Sequence, residues 1–149
     1  MKYLVLFLFA LLAVANVSAY QCGRYQCAPG HSCICDAGVF RCVYRCEELT
    51  IIQTVTNHWV DGEQHPSVQV SVEIINHTSR TVKDIIIATD VSLNSNQMWG
   101  VEKCELIEGL TLIDLPSYVE IAPGKSHTFG YIAKGNTSAH LWPQRVYIM

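Results

Sequence analysis

Val68-Gln69-Val70-Ser71-Val72-Glu73-Ile74 alternates apolar and polar residues without a break. A period of two puts the three valines and Ile74 on one face of an extended chain and Gln69, Ser71 and Glu73 on the other. The segment therefore reads as a strand buried on one side and wet on the other. Working outward, β-rich runs recur at Leu49–His58, Val82–Val91, Met98–Ile107, Tyr118–Ile121, Ser126–Ala133 and Trp142–Ile148. Chain-reversing residues separate them at Asp61-Gly62, Asn76 to Arg80, Asn94 to Asn96, Pro123-Gly124 and Gly135-Asn136. A helical period is confined to the N-terminus. The pattern predicts an all-β fold, a β-sandwich over residues 47–149, and a chain of 149 residues is too short for a second core of equal rank.

Upstream the composition changes. Six of the seven cysteines fall in the order Cys22-x4-Cys27-x5-Cys33-x-Cys35-x6-Cys42-x3-Cys46. Residues 20–46 are too few to bury a core, so the segment is expected to be held by up to three disulfides, with fifteen connectivities open. A zinc site using His31 with Cys27, Cys33 and Cys35 is the rival. Against it stand the absence of a Cys-x2-Cys knuckle and the start of the chain, which reads as an export signal. Lys2, the apolar run Leu4 to Leu12 and the small residues Val17-Ser18-Ala19 make residues 1–19 a signal peptide with cleavage before Tyr20. Cys104, flanked by Lys103 and Glu105, is expected to face inward as a free thiol, the alternatives being a bond to a cysteine of the knot or an intermolecular bridge.

Removal of the leader takes away Lys2 and leaves nine basic against thirteen acidic residues, a balance of −4. Without a basic stripe or patch, nucleic acid and anionic membranes are excluded as partners. Sequons at Asn76-His77-Thr78 and Asn136-Thr137-Ser138 lie in turns and mark Asn76 and Asn136 as glycosylation sites of an exported chain. Catalysis has no visible apparatus. Gly-x-Ser-x-Gly and His-Glu-x-x-His are missing, and the six histidines lack ligand spacing, so neither a metal nor a cofactor is expected. Asp61 and Glu63 read as turn formers, with no second acid placed across a cleft from them.

Aromatic residues are more informative, because an exposed ring can stack on the apolar face of a sugar at low entropic cost. Trp59, Trp99 and Tyr118 lie at strand ends or beside turns. Periodicity alone sends Trp59 inward, since it shares parity with Ile51 and Val55. Trp142, before Pro143 on the last strand, is assigned to the core.

Five landmarks then occur in order: Trp59-Val60-Asp61-Gly62, Val72 to Asp84, Met98-Trp99-Gly100-Val101, Leu115-Pro116-Ser117-Tyr118 and Ile121 to Ser126. Together they resemble the family 49 carbohydrate-binding modules, β-sandwiches found as C-terminal modules of plant endoglucanases and in amoebal wall or matrix lectins. The resemblance implies binding of crystalline cellulose through a row of surface aromatics, and it places Trp59, Trp99 and Tyr118 at the three aromatic positions. Three features depart from the pattern: Tyr118 stands where Trp is usual, His65-Pro66-Ser67 replaces aromatics after the first turn, and Cys104 is extra. The expected function is a secreted, extracellular, non-catalytic protein of a wall or matrix that binds cellulose or a related β-glucan. The cysteine-rich segment would be a cap or a contact for a matrix protein. The alternative is a disulfide-knot interaction or protease-inhibitor-like protein with the sandwich as scaffold.

Overall fold

The computed structural model describes residues 19–107 and 109–149, so the predicted signal peptide, apart from Ala19, lies outside the described residues. In chain order the strands are β1 Tyr20–Cys22, β2 Tyr25–Cys27, β3 Ser32–Asp36, β4 Val39–Val43, β5 Leu49–Val60 and β6 Pro66–Asn76. They continue with β7 Val82–Thr89, β8 Met98–Trp99, β9 Lys103–Ile107, β10 Leu110–Asp114, β11 Ser126–Lys134 and β12 Trp142–Ile148. Two sheets face each other, one ordered β4-β3-β12-β7-β10-β9 and the other β5-β6-β11-β8. A hairpin, β1-β2, stands apart from both.

The alternation that opens the sequence reading places the core. Val68, Val70, Val72 and Ile74 of β6 are buried, and they meet Val82, Ile85 and Ile87 of β7, Phe129 and Tyr131 of β11 and Val146 of β12. Each such side chain contributes about 1.5–3 kcal/mol by leaving water, which is why β-branched strands pack as two layers here. Tyr131 carries its hydroxyl into this core and satisfies it by donating to Gln53 and accepting from the Ala139 amide at 2.8 Å.

Four strand expectations need correction. Met98–Ile107 is not one strand. Gly100, at a φ of 76°, turns the chain so that β8 joins the smaller sheet and β9 the larger. Between β9 and β11 the sequence reading missed β10, which pairs with both β9 and β7. Tyr118–Ile121 forms no strand; Tyr118 sits in a turn, and only Ile121 makes a bridge, to Val82. Trp142 is half-buried rather than core, because the register shift between Pro143 and Arg145 puts it opposite outward Ala88 although it shares parity with inward Val146.

The cysteine-rich segment is built into the sandwich. β3 lies parallel to β12, with Val146 opposite Ile34, and Ile34 is fully buried in the common core. The remaining strand pairings of the described residues are antiparallel. Cys33 and Cys42 are opposite one another on β3-β4, and each reaches outward to the small hairpin: Cys22 bonds Cys33 and Cys27 bonds Cys42. Two staples thus fix β1-β2 on the outer face of the larger sheet. The third expected disulfide is absent, and Cys35 and Cys46 are free, as is Cys104. Cys35 shares the outer face of β3 with Cys33 but stands opposite Phe40, whereas Cys46 packs against the sandwich core on the other side of that sheet. Cys104 is half-buried against the core, in the inward direction its neighbours suggested.

Candidate carbohydrate-binding face

The outer face of the smaller sheet is set by parity on β6. Ser67, Gln69, Ser71 and Glu73 point away from the core, and so do the residues opposite them. On β5 the register slips between Val55 and Asn57, where Thr56 is the extra residue of a β-bulge. Before the bulge Ile51 and Val55 oppose buried Ile74 and Val70; after it Asn57 opposes Gln69 and Trp59 opposes Ser67. The bulge therefore reverses the inward parity that simple alternation gives Trp59 and turns its ring to the outer face. Trp59 is 37% exposed there.

Trp99 reaches the same face from the opposite edge. It pairs with Gly130 of β11, which lies between the inward residues Phe129 and Tyr131. A Cβ on Gly130 would fall 2.2 to 2.5 Å from three atoms of the indole, so the ring lies directly over this glycine and no other residue fits beneath it unshifted. With its underside on the sheet, Trp99 keeps 44% of its surface exposed. The two rings are about 13 Å apart along the strands, and about 10 Å separates β5 from the β11 backbone under Trp99. Asn57, Gln69, Ser71 and Thr54 fill the face between them with uncharged polar groups.

Tyr118 is placed differently. It is 85% exposed in the turn after Pro116, outside the sheet, and the preceding Ser117 amide donates to Glu102 at 2.7 Å. Glu102 lies past the Gly100 turn and donates its amide to the Asp114 carbonyl of β10, so the Tyr118 turn is tied to the larger sheet and not to the face that carries the two tryptophans. The acidic pair Asp61 and Glu63 behaves as a turn: the Asp61 carboxylate accepts from the Glu63 and His65 amides, both at 2.9 Å.

Asn76 requires correction as a glycosylation site. It is fully buried; its amide nitrogen donates to the carbonyls of Arg80 and Ile121 at 2.8 and 2.9 Å, and its oxygen accepts from the Thr78 amide and hydroxyl. The sequon is a turn lock, with no amide hydrogen free for a glycan. Asn136 is exposed after β11. Zinc has no better standing: the sulfurs of Cys22, Cys27 and Cys33 lie within 4.8 Å of one another because two disulfides adjoin, and the His31 ring rests against Tyr44 instead.

The main electrostatic perturbation lies elsewhere, on the larger sheet. Burial, then the carboxylates of Asp84 and Glu102, push the Asp114 carboxyl up to about 6, against the opposing charge of Lys103. One Asp114 oxygen is enclosed without a hydrogen-bond partner.

Residues 49–134 match the model of the carbohydrate binding domain CBM49, and that span runs from the first residue of β5 to the last of β11. The chain belongs to this family. It carries the CBM49 domain behind a cysteine-rich segment, and its role is carbohydrate binding. Two proteins of Dictyostelium discoideum are similar over nearly the whole length. Stalk-specific protein B is 35% identical and stalk-specific protein A 34%, each match covering 95% of this chain and 96% of the relative. Matches of that breadth take in the cysteine-rich segment as well as the CBM49 domain. Among solved structures, an exo β-N-acetylglucosaminidase from Vibrio harveyi aligns over 66% of this chain and 18% of its own, with a TM-score of 0.50 and 7% identity, a likeness of fold alone.

Proposed function

We propose that this CBM49 protein is a secreted, non-catalytic component of a wall or extracellular matrix that binds cellulose or a closely related β-glucan. Trp59 and Trp99 stack on the apolar faces of well-separated glucose units, and Tyr118 is the third ring. The observation that carries the reading is the presence of two tryptophans on one outward face of a CBM49 sheet, one turned out by a bulge and the other seated against Gly130. Two disulfides and similarity to stalk-specific proteins support an extracellular setting, with Asn136 as the glycan acceptor.

Sedimentation with microcrystalline cellulose tests this. Trp59→Ala and Trp99→Ala should each weaken binding by about 1–2 kcal/mol, roughly five- to thirty-fold, while the unfolding midpoint stays put. Tyr118→Trp should retain or strengthen binding. Stacking on a neutral polymer releases no counterions, so moderate salt and chelator should leave the wild-type isotherm unchanged. Loss of binding in salt, or full binding by the Trp59→Ala and Trp99→Ala variants, would refute the stacking face.

A further inference from the structure

The outer face of the larger sheet is only partly covered by the stapled hairpin, and beside the hairpin lies a trough. Its floor is the row Leu112, Ala88 and Trp142, which are register neighbours across β10, β7 and β12, with Ile86 of β7 next to them. Ala88 is small and fully buried beneath its neighbours, so Ile86, Leu112 and the half-buried Trp142 ring form the exposed part of the floor. Tyr20 of the hairpin forms the facing wall. Its hydroxyl is held by the carbonyls of His31 and Gln144, and the Arg145 guanidinium lies 5.7 Å from its ring centre.

This compartment, of about 650 Å³, does not end at Trp142. His140 stacks on Trp142 at 5.3 Å, and the same two rings, with Pro29 and Gly30, also border a second compartment of about 900 Å³. At that end a further ring pair, His31 edge-on to Tyr44 at 5.2 Å, rises from the cysteine-rich segment, and Tyr44 is 84% exposed. The lining carries one cation and one anion in each half, Arg145 with Asp90 and Arg45 with Glu47. A trough with two ring pairs, charges that cancel and an opening long enough for several units suits an extended, uncharged, hydroxyl-rich chain with apolar faces. A strongly anionic or cationic ligand would meet no net opposite charge.

We propose that this trough is a second saccharide site, binding the interior of a neutral β-glucan chain that runs from the outer face of the larger sheet round the sandwich edge to Leu49, Thr50 and Ile51 at the start of β5, the end of that strand remote from Trp59. Its ligand class rests on the reading given under Proposed function, while its location is independent of the CBM49 face. Trp142 is the platform, and Tyr44 is the distal contact. The protein is thereby bivalent, able to hold one glucan chain on the outer face of the smaller sheet and another along the larger sheet and its edge, and the cysteine-rich segment supplies one wall of the second site.

The chain has three tryptophans, so Trp59→Ala/Trp99→Ala leaves Trp142 as the sole indole fluorophore. Titration of this variant with cellohexaose should give a saturable change in Trp142 emission and protection from acrylamide quenching. Adding Tyr44→Ala should raise the apparent Kd at least about five-fold without moving the unfolding midpoint. Unchanged emission to about 5 mM cellohexaose, or a Kd indifferent to Tyr44, overturns the second site. Sedimentation of the unsubstituted protein with cellulose separates the two ideas. Sedimentation with a silent Trp142 sinks the trough and spares the aromatic face, whereas a responsive Trp142 with no dependence of sedimentation on Trp59 or Trp99 does the reverse.

Discussion

Asp114 shows how one residue can set a pH response far from a binding face. Its carboxyl faces Asp84 and Glu102, one oxygen is enclosed without a partner, and its protonation is displaced up to about 6, well above the ordinary value of 3.8. The folded state therefore holds this proton more tightly than the unfolded chain does. Between about pH 4 and 6 the folded form binds more protons, so stability from this group grows as pH falls through 6 and is lost as pH rises past it. Asp114→Asn should raise stability at pH 7.5 by about 1 kcal/mol, a figure reduced for solvent screening, and should flatten the dependence between pH 5 and 7.5. Urea midpoints at the two pH values decide the matter; a variant less stable than wild type at pH 7.5 would show that the ionised carboxylate is instead supported. Asn76 is a second residue whose role changes with its surroundings. Read as a sequon it points to solvent, but with all its amide hydrogens bonded it is the pin of the β6–β7 turn. A three-residue motif carries no information about the carbonyls of Ile121, forty-five positions away.

At the scale of the element, the bulge in β5 decides whether the binding face exists. Thr56 is the inserted residue, and removing it should restore strict pairing while keeping Asn57 opposite Gln69 and Trp59 opposite Ser67, because the deletion does in the sequence what the bulge does in the register. A Thr56 deletion should thus keep cellulose affinity within about two-fold of wild type, with β5 before Val55 and the core of β6 unaffected. Acrylamide quenching of the indoles should stay unchanged at the same time. A loss of binding of roughly five- to thirty-fold by the deletion would mean that the local twist of the bulge, not parity alone, orients the ring. Alternation made β5, β6, β7, β11 and β12 legible from the sequence, because each has one face in the core. The shorter strands were not legible to the same degree. β8 and β9 are contiguous in hydrophobicity and are divided only by the positive φ of Gly100, while β10 is a five-residue strand whose pairing to β7 is long-range. Of the candidate face, the two tryptophans were placed by resemblance; the reason they point outward, a bulge and a bare glycine, depends on register, which a single sequence does not display.

For the molecule as a whole, the cysteine-rich segment is divided between two jobs. β3 and β4 extend the larger sheet, and ion pairs from Arg41 to Glu48 at 2.6 Å and from Arg80 to Asp36 tie the hairpin to the rest of the sandwich. β1-β2 is instead attached mainly through Cys22–Cys33 and Cys27–Cys42. Intact mass should show two disulfides, and alkylation after denaturation should modify three thiols. Of these, Cys46 should react slowest in the native protein at pH 8, since burial, with the nearby Glu48 carboxylate, pushes its thiol up to about 11. Three disulfides by mass would contradict the assignment of Cys35 and Cys46 as free. Mild reduction should release amide protection in β1-β2 and leave β6 and β11 protected, because their core includes neither disulfide. The parallel pairing of β3 with β12 also governs the order of events at birth. β12 sits between β3 and β7, yet it is translated roughly a hundred residues after β3, so the larger sheet stays divided until then. During that interval Cys33 and Cys42 face each other across a waiting hairpin. Oxidation there would shut out Cys22 and Cys27, so correct maturation needs β1-β2 to reach the β3-β4 hairpin before Cys33 and Cys42 join, or thiol–disulfide exchange to undo the wrong bond.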